Sequence, residues 1–184
     1  MGKIRPVLPA AFITGITFSS EAVMQNALQK LTGEFGPLAF QSDVFDFTMT
    51  DYYTAEMGEN LKKRFCCFER PIEIGRLPDI KLFTNDVEME FARGDDDNPL
   101  RSVNIDPGYV TLSKLVLATT KDYSHRIYIG KGIYGEITLH YMKGEFRPFF
   151  HTYPDHQTPL AIEFFNQVRD YIKKKDRHGA ERTD

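Results

Sequence analysis

The sequence predicts an α+β protein: a ferredoxin-like βαββαβ half, extended by a β-hairpin and a C-terminal helix, around one mainly antiparallel sheet. Three observations carry that reading. The first hundred residues alternate β-branched and aromatic runs with two stretches of helically spaced apolar residues, in the order strand, helix, strand, strand, helix, strand. A Gly130-Lys131-Gly132 turn then separates two extended runs with two-residue alternation. From Thr158 onward, Ala161, Phe164, Phe165, Val168 and Ile172 recur on one helical face.

In order, residues 11–18 (AFITGITF) are β-branched and aromatic and read as a first strand. Ser19 or Ser20 caps the next helix, whose face of Val23, Ala27, Leu28 and Leu31 ends at Gly33. Gly36-Pro37 turns the chain into an extended run over 38–47, and 48–60 is a polar, aromatic connection. A third strand over 61–72 is followed by a helix over 76–92, with Pro78 in its first turn and Ile80, Phe83, Val87 and Phe91 on its face. Residues 93–101 read as a solvated loop and 102–105 as a short strand. Asp106-Pro107-Gly108 has turn chemistry, with an Asp that bonds its own backbone, a fixed φ and a glycine. Residues 109–120 suit a helix or a strand, and the helix is preferred. In the hairpin 126–129 and 133–141, Ile133, Gly135, Ile137, Leu139 and Tyr141 share one side, opposite Tyr134, Glu136, Thr138 and His140. A strand near 145–150 precedes the loop HTYPDHQTP and the final helix, capped by Thr158 with Pro159 next. The folded unit is a single domain over 1–175, with 176–184 a disordered tail.

Composition narrows the function classes. A chain of 184 residues, 41% hydrophobic and 27% charged, is ordinary for a soluble globular protein. A net charge of −3 argues against a general nucleic-acid binder. No apolar run approaches the length of a bilayer span, and the start, MGKIRPVLPA, lacks the core of a secretory signal, so membrane partners are excluded and a cytoplasmic location is expected. Cys66 and Cys67 are adjacent in an apolar run and read as reduced, buried thiols.

Candidate chemistry concentrates between 104 and 141, where ionisable residues interrupt core-forming runs and must be paired, placed at a rim, or used. His125-Arg126 enters a strand; a guanidinium forks two hydrogen bonds to phosphate or carboxylate, and Lys131 and Lys114 add mobile charge. Asp106 and Glu136 with His125 form an acid–base set, and Asp106 with Glu136 would be the ligands of a Mg²⁺ ion. Tyr153 and Asp155, in the TYPD turn, fold over the same site, and Tyr52 and Tyr53 suit stacking. Glu69, Arg70, Lys81, Thr84 and Asn85 are further candidates for the cleft wall. The bland readings are an ordinary glycine hairpin turn at 130–132 and an Arg126–Glu136 salt bridge. Walker and GxSxG motifs are absent.

The blocks NIDPGY (104–109), KLVLA (114–118), HRIY (125–128), GIYGE (132–136) and TYPD (152–155) together resemble a bacterial family of unknown function, some of whose members carry a loose GTP-binding label. DYY at 51–53, EMG at 56–58, FER at 68–70 and IKLFTN at 80–85 resemble its earlier blocks, so the resemblance runs over about 6–173. It implies one family unit and supplies no catalytic residue. The expectation is an uncharacterised protein with a charged cleft for a phosphate-bearing small molecule, a nucleotide included. The alternatives are a non-catalytic interaction module and an RNA-binding ferredoxin-like sheet.

Overall fold

The computed structural model describes residues 2–4, 6–94 and 100–180. Its first strand, β1 (Ala11–Phe18), is buried along its whole length, which explains its near-continuous apolar sequence. Helix α1 (Glu21–Phe35) starts where Ser20 accepts the Val23 N–H and buries Met24, Ala27, Leu31 and Phe35. It runs through Gly33 and ends at Gly36, whose φ of 89° supplies the left-handed stop. The expected run over 38–47 is two short strands, β2 (Leu38–Gln41) and β3 (Phe45–Asp46), and the polar connection holds one helical turn, α2 (Thr54–Met57). Strand β4 (Lys62–Phe68) and helix α3 (Leu77–Glu90) follow, the latter entered through a 3-10 turn at Ile74–Arg76.

From here two expectations are corrected. Asp106-Pro107-Gly108 lies inside strand β5 (Val103–Val110), and the stretch for which a helix was preferred is the end of β5 plus strand β6 (Lys114–Thr119). A proline survives in this strand because β6 pairs β5 only from Gly108 to Val110, so the flank beside Pro107 faces no neighbouring ladder. The hairpin is β7 (Arg126–Gly130) and β8 (Ile133–Met142), joined through Lys131 at φ 54°, and β9 (Glu145–Pro148) returns along β8. Helix α4 (Pro159–Ala180) closes the described chain. It continues past Lys175, where a disordered tail was expected to begin; residues 181–184, and 95–99 of the predicted solvated loop, lie outside the described residues.

Among the described residues the strands form one antiparallel sheet in the order β2-β4-β1-β5-β6-β8-β7, with β3 on β4 and β9 on β8. The segment β2-β4-β1-β5 has the strand order of the predicted ferredoxin-like half, and β6 to β9 extend it. Helices α1 and α3 cover one face, where Phe12, Ile16, Phe18, Leu31, Ile80 and Val103 pack together. Helix α4 covers the other, burying Ile13, Phe65, Leu115, Leu139, Phe164 and Phe165. Cys66 and Cys67 point to opposite faces, as successive strand residues must, and remain free. Burial pushes both thiols up to about 12, which makes them poor nucleophiles.

The two-sided alternation expected for β8 breaks at Thr138. Leu115 pairs with Leu139 and Val116 with Ile137, so one extra residue is accommodated and the sides exchange beyond it. Ile133 therefore packs on the α1/α3 face and Leu139 on the α4 face, while Ile137 is exposed.

The β5–β6 junction is the tightest backbone approach. A Cβ at Gly108 would lie 2.4 Å from the Val116 carbonyl oxygen and 2.7 Å from Leu117 Cδ2. Gly108→Ala is expected to destabilise the fold by about 1–3 kcal/mol through forced backbone displacement. Urea unfolding at neutral pH measures it, and a loss under about 0.5 kcal/mol would show that the strands separate freely.

Candidate functional site

Helix α4 covers only one end of the strands on its face. The other end carries polar side chains instead, and a cleft of about 190 Å³ opens there. Its floor is formed by Lys63 of β4, Asp106 of β5, Leu117 to Thr119 of β6 and Glu136 of β8. One wall is the segment bearing Phe47, Tyr52 and Tyr53; the other is the 3-10 turn Pro154–Gln157 with Tyr153 before it.

At the floor, the Lys63 ammonium donates to Asp155 Oδ2 at 2.7 Å and to Asp106 Oδ2 at 3.2 Å. The Lys63 and Asp155 side chains are 3% and 5% exposed, and Asp106, at 27%, is the member that meets the cleft. Gly15 makes room for this lysine, since a Cβ there would lie 3.0 Å from Lys63 Cε. His156 Nδ1 lies 3.1 Å from Asp155 Oδ1, with its ring stacked on Phe165.

Burial opposes the charged form of Lys63, but Asp155 and Asp106 outweigh it and hold the ammonium above its ordinary range. Burial likewise raises Asp155, and His156 with Lys63 more than reverses this, leaving the carboxyl well below the usual range. For Asp106, burial is outweighed by Lys63, Lys81 and His156, and the group is also lowered.

Asp106 passes the network on: its Oδ1 accepts from Asn104 Nδ2 at 3.1 Å, and Asn104 Oδ1 accepts from Arg101 at 3.2 Å. Arg101 forks onto Glu56 of α2, at 2.5 and 2.9 Å, and also bonds Glu88 of α3. Beyond Gly108, β6 no longer pairs with β5, and α3 takes its place: Lys81 Nζ donates to the Ile105 carbonyl at 2.8 Å and Glu88 Oε1 accepts the Ile105 N–H at 2.6 Å. Burial pushes the Glu88 carboxyl up despite Lys81 and Arg101 beside it.

The second half of the site is the cross-strand pair Arg126–Glu136. These residues are opposite in register, and Arg126 Nε donates to Glu136 Oε2 at 2.9 Å. Arg126 also donates to the Lys121 carbonyl at 3.1 Å and to the Tyr153 hydroxyl at 3.3 Å. His125 Nε2 lies 3.1 Å from Glu136 Oε2, and the His125 ring stacks on His151 with centroids 4.2 Å apart.

Asp106, Arg126, Glu136, Tyr153 and Asp155, the expected residues on separate segments, thus line one cleft with Tyr52 and Tyr53. His125 reaches it through Glu136. Lys114 does not belong: it begins β6, opposite His140, at the far end of that strand. Lys131 sits on the turn, paired with Asp79 of α3. Lys81 and Thr84 are buried on α3, and Glu69 lies near the other end of β4, its carbonyl bonded by Lys175. For the expected Asp106–Glu136 metal pair, both Asp106 oxygens and Glu136 Oε2 already have protein partners. Sequence reasoning missed Lys63, His156 and His151. Lys63 resembles any solvated lysine in a strand; only Asp155, 92 residues away, makes it a buried one.

The lowered carboxyls of Asp106 and Asp155 fix the sign of an acid effect. Between the lowered folded value and the ordinary value of about 3.9, the unfolded chain binds more protons, so stability falls as pH drops below about 4. Asp155→Asn is expected to flatten that fall in urea unfolding between pH 7 and 3. An unchanged slope would show that Asp155 carries no depressed carboxyl.

Among the described residues no helix is long and apolar enough to cross a membrane. Comparison with curated proteins and with solved structures gives no match. A family match covers residues 8–171, including every strand and both walls of the cleft. The chain belongs to the family described as a domain of unknown function, DUF4416.

Proposed function

We propose that the cleft binds a small phosphate-bearing molecule of the mononucleotide or phosphosugar kind. The observation that carries this is the polarity of the cleft. Lys63 faces two carboxylates, of which Asp106 is the one that meets the cleft; Arg126 and Glu136 pair with each other; Lys121, at the mouth, has no carboxylate partner among the described residues. A ligand that places an anion at the mouth and a hydroxyl or amino donor on Asp106 satisfies both ends. A guanidinium has five N–H donors, and Arg126 uses three on Glu136, Lys121 and Tyr153, so two are left for a phosphate beside Lys121. At 190 Å³ the cleft is smaller than the roughly 300–1,000 Å³ of drug-sized sites, so part of the ligand lies outside it, against Tyr52 and Tyr153.

A second reading, an interaction module, draws on a different observation. Strand β7 ends the sheet and exposes Ile127 at 69% and Tyr128 at 60%, an unpaired apolar edge. Light scattering over a concentration series separates self-association through this edge from a monomer.

Thermal-shift screening with phosphosugars and with nucleoside mono- and triphosphates, each with and without Mg²⁺, tests the first reading. Stabilisation of about 2.7 kcal/mol at a hundredfold excess over Kd is expected for the matching ligand. Lys121→Ala is expected to weaken it about tenfold while leaving the fold intact, since the side chain is exposed. No stabilisation by any phosphate ligand would overturn the proposal.

A further inference from the structure

Beside the cleft, one group of three side chains among the described residues brings ligand atoms together: His125, Glu136 and His151, with one atom of each within 4.8 Å of the others. Two independent features mark this cluster as more than a salt bridge. Glu136 is 3% exposed, and while its Oε2 is held by Arg126, its Oε1 is buried with no partner. His151 Nε2 lies 3.0 Å from the Ile137 carbonyl oxygen. A carbonyl only accepts, so Nε2 carries a proton, and in the neutral ring Nδ1 keeps its lone pair; Nδ1 too is buried without a partner. Two electron-pair donors are thus withdrawn from water, and neither has a hydrogen to receive. A histidine whose other nitrogen donates to a backbone carbonyl has the tautomer and orientation that metal-binding histidines use.

From this arrangement we infer that His125, Glu136 and His151 bind a borderline divalent cation of the Zn²⁺ class. Two imidazoles and one carboxylate suit such a metal better than Mg²⁺, which demands oxygen ligands. The ion takes Glu136 Oε1 and His151 Nδ1, and Arg126 keeps Oε2. The rings of His125 and His151 lie 15° from parallel, so their lone pairs do not converge as they stand. His125 turns about its side-chain torsions, leaving Glu136 Oε2 and breaking the stack, to become the third ligand. Three protein ligands leave a fourth position for water or an anion, the pattern of an open site. This inference does not rest on the phosphate reading, because it needs no ligand in the cleft.

The test uses the full chain, stripped of metal by a chelator and titrated with Zn²⁺ by calorimetry and with Co²⁺ by visible absorption. One equivalent of either ion is expected, with Co²⁺ ligand-field bands of a four- or five-coordinate nitrogen and oxygen site. His151→Ala and His125→Ala, both at partly exposed rings, are expected to weaken binding by more than the roughly 10–100-fold that loss of an outer partner alone causes. His140→Ala, outside the cluster, is expected to bind as wild type. Absence of stoichiometric uptake by the wild type, or wild-type affinity in both His151→Ala and His125→Ala, would overturn the inference. Weakening by His140→Ala equal to theirs would do the same.

Discussion

The cleft depends on one buried ammonium. Lys63 comes from β4, Asp106 from β5 on the far side of β1, and Asp155 from the turn before the last helix. Burying a lone lysine or a lone aspartate here would be costly, so each requires the others to be in place. Such a group adds little net stability relative to an apolar replacement. Its role is positional, since it pins the Pro154–Gln157 turn over the sheet and keeps Asp106 ionised at the floor. The chain of contacts continues through Asn104 and Arg101 to Glu56, which ties the aromatic wall of the cleft to the same network.

A second constraint is the parting of β5 and β6. Paired strands would leave no opening, and separated strands would leave Ile105 with an unsatisfied N–H and carbonyl. Lys81 and Glu88 reach across from α3 to bond both, so the sheet opens at the cleft without orphaned backbone groups. Two charged residues on the buried face of α3, odd in a helix read by hydrophobic periodicity alone, have their explanation in that gap. Glycine at 108 marks the last point where the strands touch, and proline at 107 the first where they do not.

Much of the architecture was legible in the sequence, for local reasons. The face of α4, a serine cap before α1 and the β7–β8 turn follow from periodicity and turn chemistry; of the residues α1 buries, Ala27 and Leu31 were legible and Met24 and Phe35 were not. Arg126 and Glu136, ten residues apart across a tight hairpin, were readable as cross-strand neighbours. What was not legible depends on partners distant in the chain. Asp106-Pro107-Gly108 has the composition of a turn and sits in a strand only because β6 withdraws beside it. Residues 109–120 carry an apolar pattern that two periods share, and pairing with β8 decides between them. The bulge at Thr138, which turns Glu136 and Leu139 to the α4 face, has no glycine or proline to announce it. Lys63 had no local signal at all.

The coupling between Lys63 and Asp155 tests this account most directly, through a double-mutant cycle of Lys63→Met and Asp155→Asn followed by urea unfolding. Lys63→Met is expected to cost about 3–5 kcal/mol, because it strands a buried carboxylate. The double variant is expected to lose about 1–3 kcal/mol less than the sum of the two single changes, the coupling that contacting residues show. Additivity to within about 0.5 kcal/mol would contradict it, and would mean that the floor of the cleft is not held by this ion pair.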